Sequence, residues 1–266
     1  MVNLLILLSD RIEEKLESRI NLKLSKKPRS KSLDDGFKKN KVINEVLDKP
    51  TIFELYELIK SNIISYVNGV VQAGKESVVF WAVGPNESNF ALNIYLVTTS
   101  NFKKRSEYLI GDSRFSRIKK GTKNIVYLWA RKEFQNISQC YQCNIPVVKP
   151  IYVSKNILVM EFVGDNGKPA KTLLESEVDE NDYTQCIQII TDLYKKAKLV
   201  HGDFSEFNIF KMEKNLKIFD LGSAVDLNHP KMMDFLKRDI NNISNFFVKR
   251  GLTVENPVDV IARIIK

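Results

Sequence analysis

Residues 201–208 read His201-Gly202-Asp203-Phe204-Ser205-Glu206-Phe207-Asn208, and after an apolar stretch and a polar turn the chain continues Ile218-Phe219-Asp220-Leu221-Gly222. Two carboxylates and one amide at this spacing are what phosphoryl transfer asks of a protein. One aspartate in a short loop takes a hydroxyl proton, an asparagine five residues on holds a metal, and a second aspartate beyond the next strand holds the metal that bridges the phosphates. Asp203, Asn208 and Asp220 fit those roles in that order. A nucleoside triphosphate brings several anionic oxygens, and Mg²⁺ is the hard cation suited to them, held by few protein oxygens while keeping some of its waters. Asp203 stays available to orient a nucleophile, either a serine hydroxyl or a water. Singly, each residue has a plainer reading: Asp203 caps a turn, Asn208 closes an Asx-turn, Asp220 ends a strand. Together, flanked by the strand-like segments Leu199-Val200 and Leu216-Lys217-Ile218-Phe219, they point to a catalytic loop.

The elements that must position this loop are legible around it. Residues 1–48 form an N-terminal extension, with a helix through Leu4 to Ile20 followed by the Lys- and Ser-rich stretch 23–40. A helix opens at Pro50-Thr51 with Thr51 as N-cap, and Ile52, Leu55, Leu58 and Ile59 recur at helical spacing. Strands follow at 66–72, 77–83 and 90–97, then a helix over 124–140, strands over 147–151 and 157–162, and a long amphipathic helix over 180–198. The first hairpin, turning through Ala73-Gly74-Lys75-Glu76, would cover a nucleotide. Glu161-Phe162-Val163-Gly164 suits a hinge offering one carbonyl and one amide to an adenine edge. From Pro230 onward the pattern is helical. The expected class is α+β: a two-lobed protein-kinase-like fold, with residues 49–163 as N-lobe, a flexible insertion at about 100–123, and 164–266 as a mainly helical C-lobe. That C-lobe is trimmed, lacking an activation segment and a peptide-docking platform after Asp220.

Composition bounds the partners. The 44% hydrophobic content supports a full core, and a net charge of +9 favours an anionic partner such as nucleotide, RNA or an acidic protein surface. Arg19 to Lys31 and Arg114 to Lys123 are basic runs without an acidic residue, which suit solvated loops or a phosphate-tracking patch equally. Three cysteines and no secretory signal point to a reducing, cytoplasmic setting with no membrane role. Cys140 and Cys143 have metal-like spacing, but a structural zinc wants four ligands, and only Cys186, His201 and His229 remain elsewhere.

These residues resemble the RIO family of atypical serine protein kinases, most closely its first subfamily, over roughly residues 48–252. The resemblance rests on Ala73-Gly74-Lys75-Glu76-Ser77, on Tyr108-Leu109-Ile110-Gly111-Asp112-Ser113-Arg114-Phe115, and on Lys132-Glu133-Phe134. It rests equally on Leu158 to Gly164, His201 to Asn208, and His229-Pro230 leading to Arg238-Asp239. The second subfamily is similar but normally places a winged-helix domain ahead of the kinase, for which the leading residues are too few. The resemblance implies Asp203 as proton acceptor, Asn208 and Asp220 as ligands of Mg²⁺ (or Mn²⁺), and Asp220 as acceptor of phosphate in an ATPase switch. It implies ATP contacts from Val71, Gly74, Lys75, Glu76, Ser77 and Val79, from position 93, and from Met160, Glu161, Val163 and Pro169. It implies autophosphorylation, an unspecified protein serine substrate, and a pre-small-subunit ribosomal particle of rRNA and protein as partner.

Two residues depart from that pattern, Asn93 on the third strand and Arg131 on the following helix, where the family often has an acid. The third strand of the family reads close to Ala-Val-Lys-Ile-Tyr, whereas here Ala91-Leu92-Asn93-Ile94-Tyr95 places Asn93 where the α- and β-phosphates expect an ammonium. Loss of a charge-assisted phosphate contact costs about 1.5–3 kcal/mol. Arg131 or Lys75 would supply the cation, or the protein would bind nucleotide and turn it over poorly, as a kinase-shaped scaffold. Either Arg131 or Glu133 is the partner position on the following helix. A small-molecule phosphotransferase also uses His-Gly-Asp with Asn five residues on, but it predicts an acidic pocket, and Lys231, Lys237 and Arg238 follow Asp220 here.

Overall fold

The computed structural model describes residues 47–97, 108–115 and 121–266. The expected N-terminal helix, the basic stretch 23–40 and much of the insertion lie outside them. The first described helix, α1 (Lys49–Lys60), starts a residue before Pro50, and its N-cap is Asp48 rather than Thr51. The Asp48 carboxylate accepts from the Thr51 backbone amide at 3.1 Å, satisfying a first-turn donor that has no intrahelical partner.

Five strands form one antiparallel sheet: β1 (Tyr66–Ala73), β2 (Ser77–Val83), β3 (Asn89–Tyr95), β4 (Pro150–Ser154) and β5 (Ile157–Glu161), in the order β1-β2-β3-β5-β4. β3 is central, pairing Asn93 with Val79 on one side and with Leu158 on the other. Alternation divides its residues between two cores. Leu92 and Ile94 pack with Leu55, Leu58 and Phe80 beneath α1. Ala91 packs with Met160, Phe162 and Val163 on the opposite side. The strand expected at 147–151 begins at Pro150 instead, while Val147 makes a single parallel bridge to Ile218. Pro150 lacks the amide a central ladder needs, and as the first residue of an edge strand it leaves the ladder intact.

Helix α2 (Thr122–Gln142) packs against β4 and β5. After β5 the chain makes a small hairpin, β6 (Gly164–Asp165) with β7 (Lys168–Pro169), and enters α3 (Glu180–Lys195) through a capping box between Asp179 and Asp182. Then come β8 (Leu199–Val200), the hairpin β9 (Ile209–Met212) with β10 (Asn215–Ile218), and β11 (Val225–Asp226). Two helices follow, α4 (Met232–Lys249) and α5 (Pro257–Ile265). This is the two-lobed, kinase-like α+β arrangement: sheet plus α2 above, helices below, with only β11 and turns between Asp220 and α4. Among the described residues no helix is long and apolar enough to cross a membrane.

Candidate functional site

Two short pairings assemble the loop residues. β9 and β10 pair Ile209 with Ile218, so the residues just outside the hairpin, Asn208 and Phe219, lie side by side, and the Phe219 amide donates to the Asn208 carbonyl at 3.0 Å. Asp220 therefore follows directly from a residue bonded to Asn208. The Phe210 and Phe219 rings stack at 4.2 Å, fixing the hairpin face. β8 and β11 pair Val200 with Val225, holding the entry of the first loop against the exit of the second. The Asn208 side-chain amide donates to the Asp203 carbonyl at 3.0 Å, which ties the loop together and commits the nitrogen rather than Oδ1. Asp203 is exposed and Asp220 half-buried, with Asp220 in the left-handed region at φ 58°. A non-glycine residue held there stores strain of the kind found at functional positions.

The clamp beneath this loop was present in the sequence without an assigned role. Asp239, on α4 and almost fully buried, accepts from the Gly202 amide at 2.8 Å and from the Phe204 amide at 3.0 Å. Burial pushes its carboxyl up to about 7, although the Phe204 and Gly202 amides and the neighbouring Arg238 pull the other way. Arg238 in turn donates to the Gly202 carbonyl and to the Tyr108 hydroxyl. Gly202 has φ +76°, and a Cβ there would lie 2.8 Å from the Ser223 carbonyl oxygen, so the sharp turn admits only glycine. His201 is buried edge-on to Phe204, and burial lowers its pKa below the usual value against the pull of Asp220 and Asp203, so the ring is neutral at pH 7. The signal for Asp239 was a lone charge among the apolar positions Phe235, Ile240 and Ile243 of an amphipathic helix.

Helix α2 is fastened to the second loop from above. Lys132, fully buried, donates to the carbonyls of Gly222 and Ala224, and Asn136 donates to those of Leu221 (2.8 Å) and Ala224 (3.0 Å). Burial lowers the Lys132 pKa to about 7, with Asp112 opposing. Gly222 lies against Trp129, where a Cβ would stand 2.6 Å from the indole nitrogen. The Arg114 guanidinium pairs with Asp112 at 2.7 Å and donates to Asn136 at 2.8 Å, tying the 108–115 segment to the same helix. Burial raises the Asp112 carboxyl, but the Arg114 bonds and charge win and hold it below its ordinary value.

The other sequence-predicted residues divide. Val71 and Val79 pack against the cluster holding Ala91, Met160 and Val163, an apolar surface of the sort an adenine ring packs on. In the loop between β1 and β2, the Gly74 amide bonds the Ser77 carbonyl at 2.9 Å, Glu76 is half-buried and Lys75 points into solvent. The Val163 carbonyl is taken by the Ala170 amide at 2.9 Å, so this residue has only its amide to offer a ligand edge. The Glu161 carboxylate is engaged by Lys217 at 2.8 Å and by the Lys149 amide at 2.9 Å, which leaves its side chain a structural part. Pro169 is exposed in the β6–β7 hairpin.

Asn93 is nine-tenths buried and donates to the Tyr95 hydroxyl at 3.2 Å, and that hydroxyl donates to Glu133. On α2 it is therefore Glu133 that this geometry joins to Asn93, whereas Arg131 is solvent-exposed. Burial, and secondarily the Asp220 carboxylate, raise the Glu133 pKa well above the carboxylate range. Among the described residues no three His, Cys, Asp or Glu side chains form a ready-made metal cluster. An ion at Asn208 and Asp220 would take its remaining ligands from phosphate and water, which is how Mg²⁺ binds at nucleotide sites. The donor set therefore fits Mg²⁺. The cysteines are free, with Cys140 and Cys186 buried.

The fold and loop define the class as a trimmed kinase-like protein. Comparison with known sequences makes it specific: the family model described as the RIO domain matches residues 78–260. A RIO-type serine/threonine-protein kinase Rio1 of Haloferax volcanii is 37% identical over 79% of this chain and 73% of its own length. The Rio1 kinase of Thermoplasma acidophilum is 39% identical over 71% of this chain and 99% of its own. Human serine/threonine-protein kinase RIO1 is 32% identical over 92% of this chain, which spans 47% of the human protein. In fold, the chain matches a Chaetomium thermophilum Rio2 kinase described as an ADP/Mg²⁺-phosphoaspartate complex, at TM-score 0.63 and 19% identity over 93% of this chain and 84% of that one. The chain belongs to the RIO family of atypical serine/threonine protein kinases.

Proposed function

We propose that this chain binds ATP with Mg²⁺ and transfers its γ-phosphoryl group, to a protein serine or to its own Asp220. The observation that carries this reading is the convergence of Asp203, Asn208 and Asp220 through one hairpin and one side-chain bond, over a loop clamped by Asp239. Bound Mg²⁺ would neutralise phosphate charge between Asn208 and Asp220. The protein's own part is positional. Val71, Val79 and Met160 bracket the base, Val163 offers an amide to its edge, and the loop around Gly74, Lys75 and Ser77 covers the phosphates. Asp203 takes the proton of an incoming serine hydroxyl as its oxygen bonds to the γ-phosphorus and the bond to the ADP oxygen breaks. With no serine bound, an Asp220 carboxylate oxygen makes that bond instead and water later releases the phosphate, which turns the site into an ATPase switch.

A Rio2 relative whose description names ADP, Mg²⁺ and phosphoaspartate supports this reading. We place residues 49–163 and 164–266 as the two lobes, with the cleft between them. A cytoplasmic role on a pre-small-subunit ribosomal particle accords with family membership and with the +9 charge, which suits an RNA-rich partner. Asn93 favours a second reading, a nucleotide-reporting scaffold with little transfer. Incubation with γ-labelled ATP and Mg²⁺ separates the two. Hydroxylamine-labile label lost in Asp220→Ala, or serine-bound label lost in Asp203→Ala, supports transfer. ADP binding with no label and no hydrolysis supports the scaffold.

A further inference from the structure

The inner face of β3 beside α2 holds more buried oxygen than the protein satisfies. Asn93 and Glu133 are joined through the Tyr95 hydroxyl, so their remaining oxygens lie within two hydrogen-bond lengths of that one group. Neither Asn93 Oδ1 nor Glu133 Oε1 has a donor, and both are buried. A buried acceptor left unmade costs about 1–3 kcal/mol, so two such atoms together are unusual in a native fold. Glu133 also feels the carboxylate of Asp220. The nearest candidates for a compensating charge are spoken for: the Lys132 ammonium is turned to Gly222 and Ala224, and Arg131 and Lys75 face solvent. A carboxylate, an amide carbonyl and a phenol oxygen are hard donors of the kind that bind Mg²⁺ and Mn²⁺.

We propose that Asn93 Oδ1 and Glu133 Oε1 hold a divalent cation of the Mg²⁺/Mn²⁺ class, distinct from the ion at Asn208 and Asp220, with water and nucleotide phosphate completing its shell. This rests on the nucleotide reading for its phosphate ligands. The ion sits where an ammonium on β3 would reach, and it supplies the positive charge that the asparagine lacks. Asn93→Lys puts a tethered ammonium in the same place and expels the ion. The ion displaces the Glu133 proton to solvent, and Glu133→Gln removes the carboxyl that becomes its one anionic protein ligand.

The probe is Mn²⁺, counted by electron paramagnetic resonance against the full chain, Asn93→Lys and Glu133→Gln, each with and without ADP. The expected result is one more Mn²⁺ per chain in the wild type than in either variant, and equal counts in wild type and Asn93→Lys overturn the proposal. Failure of ADP to bind would sink the nucleotide reading separately, and the Mn²⁺ difference measured without ADP still decides the cation site. Should a variant misfold, Mn²⁺ anomalous scattering from wild-type crystals decides: a peak beside Glu133 and Asn93 supports the site, and its absence refutes it.

Discussion

The proposed proton acceptor and the proposed metal ligands make different demands, and single substitutions separate them. Asp203 is exposed, and its side chain is free of the clamp that fixes its own loop. Asp203→Asn should therefore lower transfer by about 10²–10⁴-fold, the usual contribution of a positioned acid or base, while leaving ADP affinity within about twofold. Equal losses in rate and affinity would move Asp203 into the binding machinery. Gly222 is constrained for another reason. A methyl group there meets the Trp129 indole at 2.6 Å, so Gly222→Ala should destabilise by about 1–3 kcal/mol, the usual penalty of overpacking, seen as a lowered thermal midpoint.

At the scale of elements, helix α4 acts on the loop through Asp239. Its folded pKa of about 7 lies above the ordinary 3.8, so the folded chain binds this proton more tightly than the unfolded chain does. The resulting stability is fully present below pH 3.8 and is lost as pH rises toward 7. Lys132 is displaced the other way: its pKa of about 7 against 10.5 makes the folded chain bind that proton more weakly, so stability rises with pH between those values. The advantage of wild type over Asp239→Asn in thermal midpoint should shrink from pH 4 to pH 7, and a constant gap would argue against the buried proton. Asp239→Asn should also slow transfer, because an amide meets the Gly202 and Phe204 donors with one acceptor oxygen instead of two.

Much of this was legible in the chain. Alternation gave β1, β2 and β3 nearly to the residue, and the three oxygen-bearing side chains lay at a spacing few loops share. What stayed hidden depends on non-local partners. Strand β4 starts at Pro150 because Val147 finds Ile218, whereas the helix cap is a local choice, made by the Asp48 side chain reaching forward to the Thr51 amide. The Asp239 clamp joins residues more than thirty positions apart, which no local pattern announces. Asn93 was visible as a departure from the family, but only the fold shows it sharing a hydroxyl with Glu133.

For the molecule as a whole, sheet and hairpin share one apolar cluster, in which Val71, Val79 and Met160 join Ile218, and the proposed cleft lies along it. The net charge of +9 contributes long-range attraction to anionic partners, so association with RNA should weaken steeply between low and physiological salt, whereas nucleotide held by local ligands should respond far less. A gel-shift series in salt against short rRNA helices checks this, and a salt-independent affinity would argue for a protein partner instead. The central claim is that Asn208 and Asp220 gather one metal–nucleotide pair beside Asp203, and calorimetric titration of ADP into the full chain, with and without Mg²⁺, tests it most directly. The expected result is saturable binding that needs Mg²⁺ and weakens at least about tenfold in Asp220→Ala, the equivalent of losing one charge-assisted contact. Binding indifferent to both Mg²⁺ and Asp220, or no binding of adenine nucleotide at all, would contradict it.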